Sequence, residues 1–216
     1  RDGSDRYSHL KMVIAVGVVM GLHAAFEIFV GGTAISWSVI WTYLPVSLLY
    51  ISSMALGYLG LRYIELSVSS PICNSSGALV AVLTLLFVGG EDYSPLALLA
   101  IALVCTGAIG LGVVDATEDP ELRLERQKAS NYKYAKSFLA LALPAAYCLL
   151  DAAGTFADNR VLETLNEDSA NVAYELTFLL AAVVCFVYVV LIKRTPLIPK
   201  LEAPKYIGAV CETAGQ

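Results

Sequence analysis

His23 and Glu27 stand four residues apart in SHLKMVIAVGVVMGLHAAFEIFVGG (8–32), so on a helix they share one face. An imidazole beside a carboxylate is a unit that can relay a proton, help to hold a metal, or simply satisfy its neighbour. Metal binding lacks support in the sequence. His9 is the one other histidine, HExxH is absent, and no further ligands cluster near His23. Proton coupling and a mutually satisfied pair both remain open.

Four more polar groups stand inside apolar runs: Asn74, Asp151, Glu175 and Glu212. If those runs lie in lipid, an ionisable side chain costs about 2.5–3.5 kcal/mol at mid-bilayer, so each needs a reason. Glu27 and Glu175 fall near the ends of their runs, where a long side chain can reach the interface. They either snorkel or join His23 in proton coupling. Asp151 and Glu212 lie deeper, Asp151 followed by Gly154 and Thr155, Glu212 by Thr213 and Gly215. They are the stronger candidates to line a cavity. Asn74, Ser75 and Ser76 enter an apolar block together and are expected to face other helices or a pathway, not lipid. The tripeptide also matches a glycosylation acceptor, which its place inside a span rules out.

Other chemistry is missing from the sequence. There is no P-loop, no GxSxG and no Cys/His metal spacing, so no cofactor and no metal are expected. The five cysteines fall in five different apolar blocks with no CxxC, which suits small residues packing between helices better than disulfides. A membrane-embedded enzyme would need a nucleophile with its base or a His/Asp ligand cluster. A non-transporting scaffold is the other alternative, and it leaves Asp151 and Glu212 without a reason.

The elements that must position these groups are set by hydropathy. The 216 residues are 57% hydrophobic and 15% charged, with a mean hydropathy of +0.68; soluble domains run nearer a quarter charged. The apolar residues gather in blocks of about 20, the length that spans a 30 Å hydrocarbon core as a helix. The blocks are too long, and alternate too little, for barrel strands. An all-α, multi-pass integral membrane bundle is therefore expected, with spans at 11–30, 38–61, 67–89, 95–114, 136–157 and 171–192, and a partial one at 204–216. Arg1 in place of Met, and the apolar run at the other end, suggest a piece of a longer protein.

Alternating the spans puts all the lysines and arginines except Arg160 on one side, which marks that side as cytoplasmic; the expected location is the cell's plasma (inner) membrane. The charged stretch 116–135, ATEDPELRLERQKASNYKYA, reads as a linker at the membrane surface joining two halves. Gly17 and Gly21 form a GxxxG, expected to serve internal helix packing.

Pro71 admits two accounts. It can occupy the first turn of a helix capped by Ser69 or Ser70, where its missing N–H is harmless; this is the preferred one. Alternatively the helix starts near Ser67, and Pro71 frees a carbonyl that the serines satisfy beside protein or water.

Around this stretch the chain resembles the EamA-type members of the drug/metabolite transporter superfamily. The resemblance runs through Ala55-Leu56, Gly60-Leu61-Arg62-Tyr63-Ile64, the small-residue run Ser67 to Ser70, Glu91 in the next turn, Ser94, and Thr106-Gly107-Ala108-Ile109-Gly110. It implies part of a ten-helix transporter built as two five-helix repeats of inverted topology. Residues 1–115 would then hold spans of the first repeat, 116–135 the linker, and 136–216 the start of the second. The seven blocks would be the second to eighth spans, with the first block here the counterpart of the sixth. The implied function is a permease for small metabolites or drug-like solutes, working by alternating access. Its expected partners are that solute and the lipid bilayer, with no nucleic acid, as a monomer or homodimer.

Overall fold

The computed structural model describes residues 6–61, 63, 66–88, 94–117, 119, 121 and 139–214, without the side chains of 66–68, 115, 116, 139–141 and 212. Among the described residues all regular structure is helical. Helix α1 spans Ser8–Phe26 and runs into a π-helical turn at Glu27–Gly31; α2 is Trp37–Gly60, α3 Leu66–Cys73, α4 Ser76–Phe87 and α5 Pro95–Ala116. After the linker come α6, Leu139–Leu162; α7, Glu167–Phe186, closing on a second π-helical turn at Val187–Ile192; and α8, Pro199–Thr213. The 116–135 linker lies almost wholly outside the described residues.

Five of these segments are long and apolar enough to cross a membrane: Ser8–Gly31, Trp37–Gly60, Ser69–Phe87, Pro95–Val114 and Glu167–Ile192. At about 1.5 Å per residue, the 24 residues of the first reach across a hydrocarbon core. Helix α5 makes the point most clearly. None of its Pro95–Val114 stretch is buried, and Leu96, Leu99, Leu103, Ile109 and Val114 all stand exposed. A helix that is apolar all round and unburied is suited to lipid, not water. Helix α6 lies at the expected fifth span, and Asp151, Asp158, Asn159 and Arg160 fall in its second half.

The block expected at 67–89 is not one continuous helix. It begins at Leu66, which leaves Pro71 inside α3 and not in a capped first turn. The preferred account of Pro71 is therefore corrected. The interruption falls after the proline, at Asn74 and Ser75. There the Ser75 amide reaches back only three residues, to the Ile72 carbonyl at 3.2 Å, and its hydroxyl donates to the same carbonyl at 2.7 Å. A serine side chain that bonds local backbone offers the chain an alternative to the helix ladder.

The chain forms two compact units, Ser52–Phe156 and Asp2–Ile51 with Ala157–Gln216. In the first, α2 approaches α6 through glycines. A Cβ on Gly57 would meet the Tyr147 ring at 2.8 Å, and one on Gly60 the Leu143 Cβ at 3.5 Å. Phe87 of α4 lies 6.1 Å from Phe156 of α6, centroid to centroid.

In the second unit α1 and α7 run antiparallel. Going up α1, Tyr7 meets Tyr188, Gly17 faces Phe178 and Ala182, Gly21 faces Leu179, and His23 reaches Glu175. The GxxxG thus serves internal packing, as expected. Val13, Val16, Met20 and Ala24 of α1 and Val172, Ala173, Phe178 and Ala182 of α7 form the buried seam.

Candidate functional site

The second unit holds a cluster of ionisable side chains where α1 ends and α7 is still young. His23 Nδ1 is 2.8 Å from Glu175 Oε1, while His23 Nε2 is 3.9 Å from Glu27 Oε1. The sequence spacing pointed to Glu27 as the partner of His23; the closer partner is Glu175, 152 residues away. Glu175 is buried, whereas His23 is half exposed and Glu27 about a third exposed. The second carboxylate oxygen of Glu175 is buried and has no hydrogen-bond partner among the described residues.

Local backbone sets Glu27. It opens the π-helical turn, which stops at Gly32 with φ 76°, a left-handed conformation that glycine adopts without steric cost. The Thr33 amide then caps the Glu27 carbonyl at 3.0 Å, and the Thr33 hydroxyl donates to Glu27 Oε2 at 3.4 Å. A methyl group on Gly31 would lie 2.6 Å from that same oxygen, so the bare backbone there is what lets the carboxylate fold over the turn.

Two other polar links in this unit escaped sequence reasoning. The Tyr43 hydroxyl donates to Asp158 Oδ1 at 2.6 Å, joining α2 to the end of α6. Tyr43, Ser47 and Tyr50 share one face of α2 at helical spacing, and Tyr50 meets Tyr174 of α7 at 5.8 Å. Tyr174 in turn meets Phe178 at 5.8 Å, edge to face. The other link is Lys11, counted in the sequence among the cations of the cytoplasmic side. It is buried, 3.1 Å from Glu202 Oε1 of α8, and it donates to the Pro196 carbonyl at 3.1 Å. Lys205 holds the other Glu202 oxygen. The pair borders a cavity of about 270 Å³ lined by Lys11, Ile14, Leu197, Pro199, Glu202 and Tyr206. The i, i+4, i+7 stripe on α2 was a readable signal. For Lys11 there was none, since its partner is distant in sequence.

The first unit holds the other group of expected residues. Ser75 is buried and lies 3.3 Å from Cys148 Sγ of α6. Asn74 is exposed and donates to Ser70 Oγ at 3.1 Å. Ser76 is half-buried, as is Asp151, one helical turn beyond Cys148 on α6. Of the tripeptide, then, Ser75 alone is buried. Glu212 belongs to the last turn of α8, but its side chain lies outside the described residues.

Among the described residues no three His, Cys, Asp or Glu side chains come together in a way that could hold a metal ion. Comparison with known proteins finds no matching family model, no matching curated protein and no matching solved structure.

Proposed function

We propose that the protein is a membrane permease of the EamA type, moving a small polar metabolite or drug-like solute across the cell's plasma (inner) membrane by alternating access. The observation that carries this reading is the interruption of a span-length segment at Asn74-Ser75, with buried Ser75 facing Cys148 and Asp151 one turn further on. Irregular backbone at membrane depth is tolerated where it is enclosed by protein or lines a cavity, and interrupted helices of this kind form the solute sites of many secondary transporters.

Two further features support it. Under a five-plus-five inverted repeat, α1 and α7 are counterparts and must run in opposite senses. They do run antiparallel, and each closes on a π-helical turn. Such turns are rare and occur often at functional sites. In addition, His23, Glu27 and Glu175 form a titratable cluster at one end of these two helices. In this reading Asn74, Ser75, Ser76, Asp151 and Glu212 belong to the solute pathway, and the His23 cluster couples transport to protons.

The test is solute flux in liposomes containing the purified protein. Asp151→Asn and Glu212→Gln should impair flux at unchanged expression, and flux should depend on a pH gradient. Wild-type flux in both variants would sink the pathway assignment. Equal flux with and without the gradient would sink the coupling.

A further inference from the structure

We propose that the His23–Glu27–Glu175 cluster is a binding site for a protonated amine, with the buried Glu175 carboxylate as its anchor. As a statement about the transported solute this rests on the permease reading; as a statement about binding it rests on the geometry of the cluster.

The argument begins with charge. Two carboxylates face one imidazole, and no other cation among the described residues pairs with either carboxylate. With both carboxylates ionised, even a fully protonated His23 leaves the cluster one positive charge short. A buried, unmatched negative charge is costly, and a counter-charge relieves it.

Hydrogen bonding makes the same demand independently. Glu175 Oε1 takes its bond from His23 at 2.8 Å, and Oε2 has none. The Glu175 side chain is only 9% exposed. Buried polar atoms in native proteins are nearly always partnered, and an exception calls for a water, an ion or a ligand. Glu27 Oε1 is also short of a close donor, since His23 Nε2 stands 3.9 Å away. The cluster therefore lacks both a positive charge and hydrogen-bond donors.

An ammonium group supplies both at once, with three donors on a compact charge. A bare divalent cation does not suit the site. It would require six or more oxygen ligands, or a group of three His, Cys, Asp or Glu side chains, and no such group exists among the described residues. The graded exposure gives an approach: His23 and Glu27 form an open rim above buried Glu175. On the adjoining strip of α1, Leu22 and Phe26 are 69% and 55% exposed. They offer an apolar surface to a carbon skeleton attached to the amine.

Butylammonium chloride is the probe, titrated into the purified protein in detergent and read by thermal melting. Butanol and sodium chloride at matched concentration serve as the neutral and the bare-cation controls. A saturable rise in Tm with butylammonium alone is expected. Glu175→Gln should weaken it at least tenfold, Glu27→Gln several-fold, and Asp168→Asn, an exposed acid in the first turn of α7, not at all. Glu27 sits on the rim, so its variant keeps the test alive if Glu175→Gln does not fold. The proposal is overturned if butanol or sodium matches butylammonium, if no saturable shift occurs, or if the Glu27 and Glu175 variants that fold respond like the wild type. Saturable amine binding without flux of any solute would leave this site standing and sink the permease reading. Flux without amine binding would do the reverse.

Discussion

Gly17 of α1 lies against the backbone of α7: a methyl group in its place would stand 2.5 Å from both the Phe178 carbonyl oxygen and the Ala182 Cβ. Backbone cannot move aside as a side-chain tip can, so this contact fixes how closely the two helices approach. The His23–Glu175 hydrogen bond two turns further along depends on that spacing.

Gly17→Leu should therefore push α1 and α7 apart. Overpacking a close seam costs about 1–3 kcal/mol, so Tm should fall. Gly77, in the first turn of α4, has open space around its Cβ position, and Gly77→Ala should leave Tm unchanged or raise it. A Gly17→Leu protein that melts like the wild type would contradict the seam.

The Lys11–Glu202 pair should behave as a buried ion pair, since both side chains are less than a tenth exposed. Removing Glu202 takes the carboxylate from both Lys11 and Lys205, at up to about 3–5 kcal/mol, while removing Lys11 leaves Glu202 with Lys205 alone. Lys11→Met and Glu202→Met should each lower stability. The double replacement should cost clearly less than the two together, because the charge left behind, Lys205, is the more exposed one. Strict additivity in a double-mutant cycle would contradict the pairing.

The Tyr43–Asp158 hydrogen bond gives a subtler test. Tyr43→Phe keeps the ring and removes the donor, which should cost about 1–3 kcal/mol. Asp158→Asn keeps an acceptor oxygen for the tyrosine hydroxyl and should cost less. The reverse order of melting temperatures would contradict the assignment of donor and acceptor.

How far the sequence could be read depends on how local each determinant is. The five span-length apolar helices were legible because runs such as Pro95–Val114 advertise themselves by length and apolarity alone. Pro71 was legible as a disturbance but not in its place. Ser-Ser-Pro can begin a helix or sit inside one, and the outcome turned on Ser75, whose hydroxyl holds the Ile72 carbonyl. His23 and Glu27 were visible through their spacing, yet the tighter partner, Glu175, is 152 residues away. The π-helical turn that carries Glu27 leaves no periodic signature in so short a stretch. Lys11 shows the same limit from the other direction. Charge counting placed it on the cytoplasmic side, and only packing against α8 reveals it as buried.

The central claim, that this chain moves a solute through a membrane, is tested most directly by flux in proteoliposomes. Wild-type protein should carry at least one solute from a broad panel of amines, amino acids and other polar metabolites, saturably and faster than protein-free vesicles. Asp151→Asn protein reconstituted at the same density should carry it markedly more slowly. Flux indistinguishable from empty vesicles across the panel, with protein that is folded and inserted, would contradict the account.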